Sequence, residues 1–488
     1  MTRLARAVAA AALMVAVLPA VALAHPLGNF TINHFAAIRL GADRIYLDVV
    51  IDRAEIPAFQ ARQQLDGDRS GEITPTEREA ARVAACDELE QSLYLAVDGA
   101  PLPLTATAAG LSFPPGVGGL PTMRLVCQFE ATAVVGAGQT IAFRDDSFAG
   151  RSGWREIVFD GELAGSTNRL TAYPPDLLAQ PLDVRSVEFA APAGSRVAAW
   201  TAPDAQPLGH ADGSQVEAPR PAVPGGIDAD LASLVNARDL SPIVVIGALL
   251  VAVALGAAHA VSPGHGKTIM AAYLVGTRGT VRHALALGMT VTVAHTLGVL
   301  LLAVVTLGAS AFVAPEALYP VLGLASGALV VAIGGSLLAR RLCDVLAGRR
   351  HRHAHEHGHE HDHGHEHGHG HGHAHETLRP SRLSWRALFA LGLSGGLVPS
   401  ASALLLLLGS ISAGRLGYGV LLVLAFGAGM AVVLGGVGLL LVHATRLIDR
   451  LPARRLSGLT SSWLQLGAAA LVLVIGVALT GQALTQAF

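Results

Sequence analysis

Leu255-Gly256-Ala257-Ala258-His259-Ala260-Val261-Ser262-Pro263-Gly264-His265-Gly266-Lys267 closes the first long apolar run of the second half of this chain and decides how that half is read. The run occupies residues 241–260, and a helix of that length covers about 30 Å of hydrocarbon. Pro263, with Gly264 and Gly266 beside it, breaks the helix, so His259 and His265 escape helical spacing and can converge. Further apolar runs lie near 284–308, 318–339, 387–409, 417–442 and 463–482. In lipid a helix is the simple way for such a run to satisfy its own backbone. The expected fold class is therefore a polytopic α-helical membrane protein with six transmembrane helices.

Working outward, composition divides the chain. Of its 488 residues 52% are hydrophobic and only 14% charged, too little charge to cover a soluble surface of this size. The charge is uneven: residues 25–240 carry Asp, Glu, Arg and Pro at soluble frequencies, and the apolar runs begin only after them. A net charge of -2 offers no basic face, so no nucleic-acid partner is expected. Residues 1–24 read as a signal peptide: Arg3 and Arg6, an apolar stretch Ala7–Val21, then Ala22-Leu23-Ala24 as a small-x-small cleavage pattern. The domain that follows would be extracytoplasmic. With it outside, the loops near 261–283, 340–386 and 443–462 fall in the cytoplasm, and these hold nearly all the loop arginines; the outward loops near 309–317 and 410–416 hold only Arg415.

Residues 25–198 read as a small, mainly β domain, with partial period-two alternation at 43–50, 93–98, 123–132, 140–144, 155–159 and 184–190. A linker rich in Pro, Ala, Gly and Asp follows over 199–240. Within the domain, residues 66–77 follow an EF-hand-like spacing. Asp66, Asp68, Ser70 and Glu77 supply side-chain oxygens, Glu72 supplies its backbone carbonyl, and Gly71 makes the tight turn. Such a loop would take a structural Ca2+; an acidic surface turn is the alternative. Cys86 and Cys127 lie in the exported part, where a disulfide could form and persist. His25, the first residue after cleavage, and His34 carry a weaker metal signal.

The histidines point to transition metals. His259 and His265 flank the first break, and Val293-Ala294-His295-Thr296 places His295 well inside the second span. Imidazole suits Ni2+, Co2+, Zn2+ and Cu2+, and its largely neutral state lets it enter a membrane more cheaply than a carboxylate. His283 precedes His295 by 12 residues, about 18 Å along a helix, and so belongs nearer the cytoplasmic mouth. Between spans three and four run His351, His353, His355, His357, His359, His361, His363, His365, His367, His369, His371, His373 and His375, interspersed mainly with Gly, Glu and Asp. Such a tract buries no apolar surface and would gather metal on the cytoplasmic face rather than set selectivity. Lys267 resembles a phosphate-loop lysine, but the glycine spacing is wrong and no αβ context surrounds it. No paired histidine–carboxylate constellation lies in the spans, so an enzyme is not expected, nor a catalytic cofactor.

The break also has an echo. Leu391-Gly392-Leu393-Ser394-Gly395-Gly396-Leu397-Val398-Pro399 repeats the pattern of Leu255–Pro263 at an offset of 136 residues. Each copy falls at the first span of a group of three, so a 3+3 inverted repeat is expected, with Gly395, Gly396 and Pro399 interrupting the second half as Pro263, Gly264 and Gly266 interrupt the first. The two halves then span 241–339 and 387–483.

The His259–Lys267 motif, Met270-Ala271-Ala272-Tyr273-Leu274-Val275-Gly276 and Val291-Thr292-Val293-Ala294-His295-Thr296 resemble the nickel/cobalt transporter superfamily, in particular its efflux branch. Gly395-Gly396-Leu397-Val398-Pro399-Ser400 fits the same pattern, and the resemblance covers residues 241–483. The leading His25-Pro26-Leu27-Gly28-Asn29 resembles the extension of some bacterial members. The resemblance implies movement of Ni2+ or Co2+, commonly export, with His259, His265 and His295 as functional positions. Relatives often carry Cys-Pro after the proline matching Pro399, whereas this chain has Ser400-Ala401, which removes a soft ligand. Uptake of the same ions, or metal sensing and assembly without flux, are the other readings.

Overall fold

In the leading domain, strands form where one or both faces bury apolar side chains. β1 (Ile32–Leu40) and β2 (Arg44–Arg53) pair antiparallel around a tight turn. β3 (Leu93–Val97), β4 (Ala100–Pro101), β5 (Thr105–Ser112), β6 (Met123–Thr132), β7 (Thr140–Asp145), β8 (Arg155–Phe159), β9 (Ser186–Ala190) and β10 (Gln206–Pro207) complete two sheets. One sheet has the order β10-β5-β6-β2-β1-β8 and the other β4-β3-β7-β9; β8 joins β1 in parallel. The computed structural model describes residues 28–68, 70–159, 164–174, 181–194, 196–197, 200–208, 241–261, 280–308, 315–352, 385–449 and 459–487. The leader 1–24, His25, most of the linker, Pro263, Gly264, His265, Gly266 and the histidine tract from His353 onward lie outside them.

Two helices, α1 (Glu55–Leu65) and α2 (Pro75–Glu90), flank the acidic loop. Thr74 caps α2: its hydroxyl accepts from the Glu77 amide while the Glu77 carboxylate accepts from the Thr74 amide. Cys86 of α2 and Cys127 of β6 are joined by a disulfide with Cα atoms 5.7 Å apart, fixing helix to sheet in the centre of the apolar core. Several polar groups buried in this domain have partners. Arg169 grips the fully buried Asp48 carboxylate at 2.8 and 2.9 Å, and Asn33 accepts from the Trp154 amide.

The membrane region is helical: α3 (Pro242–Val261), α4 (Val281–Gly308), α5 (Pro315–Arg352), α6 (Trp385–Gly396), α7 (Ala401–Ser412), α8 (Leu416–Asp449) and α9 (Leu459–Ala487). Among the described residues, four helices are long and apolar enough to cross a bilayer, or five when α6 and α7 count as one bent span. α9 contributes the shorter apolar stretch Ala469–Gly481. The apolar run 387–409, expected to be interrupted by Gly395, Gly396 and Pro399, forms two half-helices separated at residues 397–400, where Pro399 cannot continue the ladder. Contacts divide the chain into two units, 249–400 with 423–488 and 21–248 with 401–422.

Within the first unit, glycines let helix backbones touch, which in lipid replaces the hydrophobic drive that water would supply. A Cβ on Gly256 of α3 would lie 1.9 Å from the Phe426 carbonyl oxygen of α8, and one on Gly429 of α8 would lie 1.9 Å from the Val253 carbonyl oxygen of α3. α6 meets α4 in the same manner: a Cβ on Gly392 would stand 2.7 Å from Thr290 Cβ, and one on Gly396 would stand 2.3 Å from the Val291 carbonyl oxygen. α5 and α9 are held together through Gly327 against Thr480, Gly334 against Leu473 and Gly476 against Val331. These glycine contacts pair α3 with α8, α4 with α6 and α5 with α9, and Gly427 against Thr296 sets α8 on α4 as well.

Candidate metal path in the membrane region

His295 sits midway along α4, one turn after Thr292, whose hydroxyl is spent on the Gly288 carbonyl. It is only 5% exposed. His259, near the end of α3, faces it across the helix boundary, with ring centroids 5.4 Å apart and planes tilted by 44°. Two imidazoles on one ion at about 2.0–2.1 Å per nitrogen hold their ring centroids roughly 5 Å apart, so the pair is at the separation that shared ligation requires. Phe426 of α8 walls the pair, 5.6 Å from His259 and 6.5 Å from His295, near-parallel to the latter ring. The close approach of α3 and α8 at Gly256 brings His259 beside Phe426, and Gly427 of α8 against Thr296 of α4 brings His295 to the same ring.

A further contact to His295 comes from the second break. The Ser400 amide donates to His295 Nε2 at 3.1 Å, and Ser400 Oγ lies 3.0 Å from the same nitrogen. Gly396 makes this approach feasible, since a Cβ there would crowd the Ala294 Cβ and the His295 amide. One turn on, Leu397 and Pro399 stand 3.6 Å, an ordinary contact distance, from where a Cβ on Gly298 would be. Gly396 and Pro399 thus seat the second break directly on α4, while Pro263, Gly264 and His265 of the first break fall outside the described residues.

Among the described residues, the other histidines do not join this cluster. His283 starts α4, where its exposed Nδ1 accepts from the Thr280 amide at 3.3 Å and its ring stands 5.4 Å from Trp385. His443 is exposed and its Nδ1 lies 2.9 Å from the Leu439 carbonyl, one turn back. His34 is a core histidine of the leading domain. Its Nδ1 lies 2.9 Å from Asp145, with Ser147 and Arg155 close by. Burial pushes the His34 imidazole below its ordinary value, and the hydrogen bond from His34 holds the Asp145 carboxyl low despite burial. Both shifts describe a neutral ring donating to a carboxylate. Of the histidine tract, His351 closes α5 and the rest lies outside the described residues.

In the 66–77 loop, oxygens of Asp66, Asp68 and Glu77 lie within 4.8 Å of one another. They are occupied by the loop's own amides: Ser70 donates to Asp66 and Asp68, Gly71 to Asp66, and Gly67 to Glu77. The Ser70 bonds hold the Asp68 carboxyl below its ordinary value, and hydrogen bonds from the Thr74 amide and hydroxyl, with a smaller part from Gly67, do the same for Glu77. Ser70 Oγ donates to the Glu72 carbonyl, turning two of the expected ligand oxygens toward each other. Ser400 and Phe426 were not marked by residue pattern as site residues. The position of Ser400 at the second break was the one available signal, and Phe426 gave none.

Residues 245–392 match the family described as high-affinity nickel-transport protein, NicO. Over that segment the membrane region is similar to the nickel/cobalt transporter family. A protein of Methanocaldococcus jannaschii named as a nickel/cobalt efflux system is 29% identical over 201 residues, which are 41% of this chain and 78% of that relative. The nickel/cobalt efflux system RcnA of Escherichia coli (strain K12) is 46% identical over 52 residues, 11% of this chain and 19% of its own length. No solved structure matches the chain. Four or five apolar helices among the described residues are long enough to cross a bilayer, and the chain is a multi-pass membrane protein whose matched segment resembles nickel transporters. His259, His283 and His295 fall inside the matched segment, whereas Ser400 and Phe426 fall beyond it.

Proposed function

We propose that this protein exports Ni2+ and Co2+ across the cytoplasmic membrane as a secondary transporter, along a path lined by His259, His265 and His295. The observation that carries the reading is the convergence of His259 and His295 from separate helices, 5.4 Å apart, with His295 buried. An intramembrane ionisable residue is a transport candidate by default. Outward direction is supported by the printed names of the relatives, both efflux systems, and by a histidine tract on the arginine-rich side. His283 serves at the cytoplasmic mouth, and the tract from His351 to His375 gathers metal there.

The proposed frame is six spans in a 3+3 inverted repeat, with the leading domain outside. Glycine contacts support it. Gly256 meets Phe426 and Gly392 meets Thr290; each member of one pair stands 136 positions from its counterpart in the other, the same offset as the sequence echo. α3 with α8 therefore maps onto α6 with α4, and α5 with α9 onto itself, as a two-fold axis in the membrane plane demands. The 66–77 loop belongs to the leading domain as a structural calcium site, apart from the path.

Purified protein in proteoliposomes, with Ni2+ or Co2+ flux followed under imposed pH gradients, tests this. His259→Ala, His265→Ala and His295→Gln are each expected to lose most of the flux at unchanged protein level. Full flux in all three would remove the histidine path, and flux lost only on deleting 353–375 would move the assignment to the tract.

A further inference from the structure

We propose that the backbone amide of Ser400 is a latch on His295 which an incoming cation must displace, so that loading the site moves the break at 397–400. The inference rests on the histidine path proposed above and names the moving part of it.

A neutral imidazole has one lone pair and one N–H. The Ser400 amide can only donate, and it donates to His295 Nε2 at 3.1 Å. Nε2 is therefore the bare nitrogen and Nδ1 carries the proton. A cation that binds Nε2 takes the lone pair the amide is using. A cation that binds Nδ1 drives the proton to Nε2, which then faces the Ser400 amide donor to donor. Either way the amide bond to His295 breaks. Ligation of His295 as a neutral ring and the Ser400 latch exclude one another.

The surroundings decide what happens to the released amide. His295 and Ser400 are 5% and 9% exposed, so no bulk water waits to replace the lost bond. Gly396 is already packed against the Val291 carbonyl, the Ala294 Cβ and the His295 amide, so the break cannot press closer to α4 in place. Displacement of the amide must then carry residues 397–400 away from α4. The hydroxyl has a different part. Oγ lies 3.0 Å from Nε2 and, unlike the amide, can accept as well as donate, so it can follow either tautomer. The amide alone enforces the exclusion, and any residue at position 400 except proline retains it.

Full-length protein labelled with 15N-histidine in lipid nanodiscs gives the test, the His295 signal being assigned by its loss in His295→Gln. Without metal, Nε2 should be bare and Nδ1 protonated. Adding Zn2+, used as a diamagnetic probe, should convert that signal to a ligated form and speed deuterium exchange of the Ser400 amide. Ser400→Pro deletes the donor at a position preceding the half-helix, and should lower the half-saturating Ni2+ concentration for flux by roughly three- to tenfold, the weight of one net hydrogen bond. A protonated Nε2 without metal overturns the latch. So does an amide whose exchange ignores Zn2+ while the His295 signal shifts, or a folded Ser400→Pro with half-saturation unchanged or raised. If Ser400→Pro does not fold, the two wild-type measurements decide. Full flux in His295→Gln would instead refute the path itself; lost flux with an indifferent Ser400 amide would refute the latch alone.

Discussion

Replacing Gly256 with alanine puts a Cβ where α3 and α8 touch. That atom would lie 1.9 Å from the Phe426 carbonyl oxygen, whereas ordinary contact begins at 3.4 Å. The obstacle is backbone, so no side chain can swing aside, and the helices must part by about 1.5 Å, an overpacking cost of about 1–3 kcal/mol. His259 lies less than one turn beyond Gly256 and moves with α3. The ring separation from His295, now 5.4 Å, would open toward about 7 Å, far past the ±0.2 Å that metal–nitrogen bonds tolerate. Gly256→Ala should thus lower Ni2+ flux by at least tenfold, in keeping with losses of about 10²-fold per ångström in constellations that need fixed geometry. Gly247→Ala is the matched control, because a Cβ there meets no atom within 4 Å on the same helix. Flux in proteoliposomes, normalised to folded protein by size-exclusion profile, reads the difference. Equal flux in the two variants would refute the claim that the α3–α8 contact sets the histidine pair.

Three outcomes concern the leading domain. Burial holds the His34 imidazole below the 6.5 of the free side chain, so the unfolded state takes a proton first; stability is full above about pH 6.5 and falls as pH drops toward the folded value. Thermal unfolding of the full chain between pH 8 and 5 should show that decline, and His34→Gln should flatten it. Replacing Cys86 and Cys127 with serine frees a loop with a sequence separation of 41, which on loop entropy costs about 3–4 kcal/mol; an unchanged melting temperature would contradict the core role given to the bridge. Millimolar Ca2+ should raise the melting temperature of the leading domain in wild type and not in Asp66→Asn/Asp68→Asn, and an equal rise in both would leave the 66–77 loop as an acidic turn.

The membrane helices were legible because lipid imposes one rule on every span: an apolar run lies within each of α3, α4, α5, α8 and α9 to within a residue, although α5 continues to Arg352 and α8 to Asp449, well past the runs' ends at 339 and 442. The break at 397–400 was legible as a glycine–proline pattern but not as two half-helices, since periodicity through Leu404–Leu408 reads the same in either case. β1 went unread for a physical reason: Asn33 and His34 are polar yet buried, satisfied by Trp154 and Asp145 from distant parts of the chain, so the strand shows no alternation. β5, built of Thr, Ala and Gly, carries too little apolar mass to mark itself. At the site, histidine chemistry announced His259 and His295, but Ser400 and Phe426 act through where the helices cross. That crossing follows from glycine contacts between residues some 100 to 170 positions apart, which no local pattern encodes.

The most direct test of outward transport through His295 is metal retention in cells. Cells preloaded with radioactive Ni2+ and expressing the wild-type chain should lose the label faster than cells with an empty vector, and His295→Gln at equal membrane abundance should lose it no faster than the vector. Faster accumulation of Ni2+ in wild-type cells, or wild-type release from His295→Gln, would contradict export by this path.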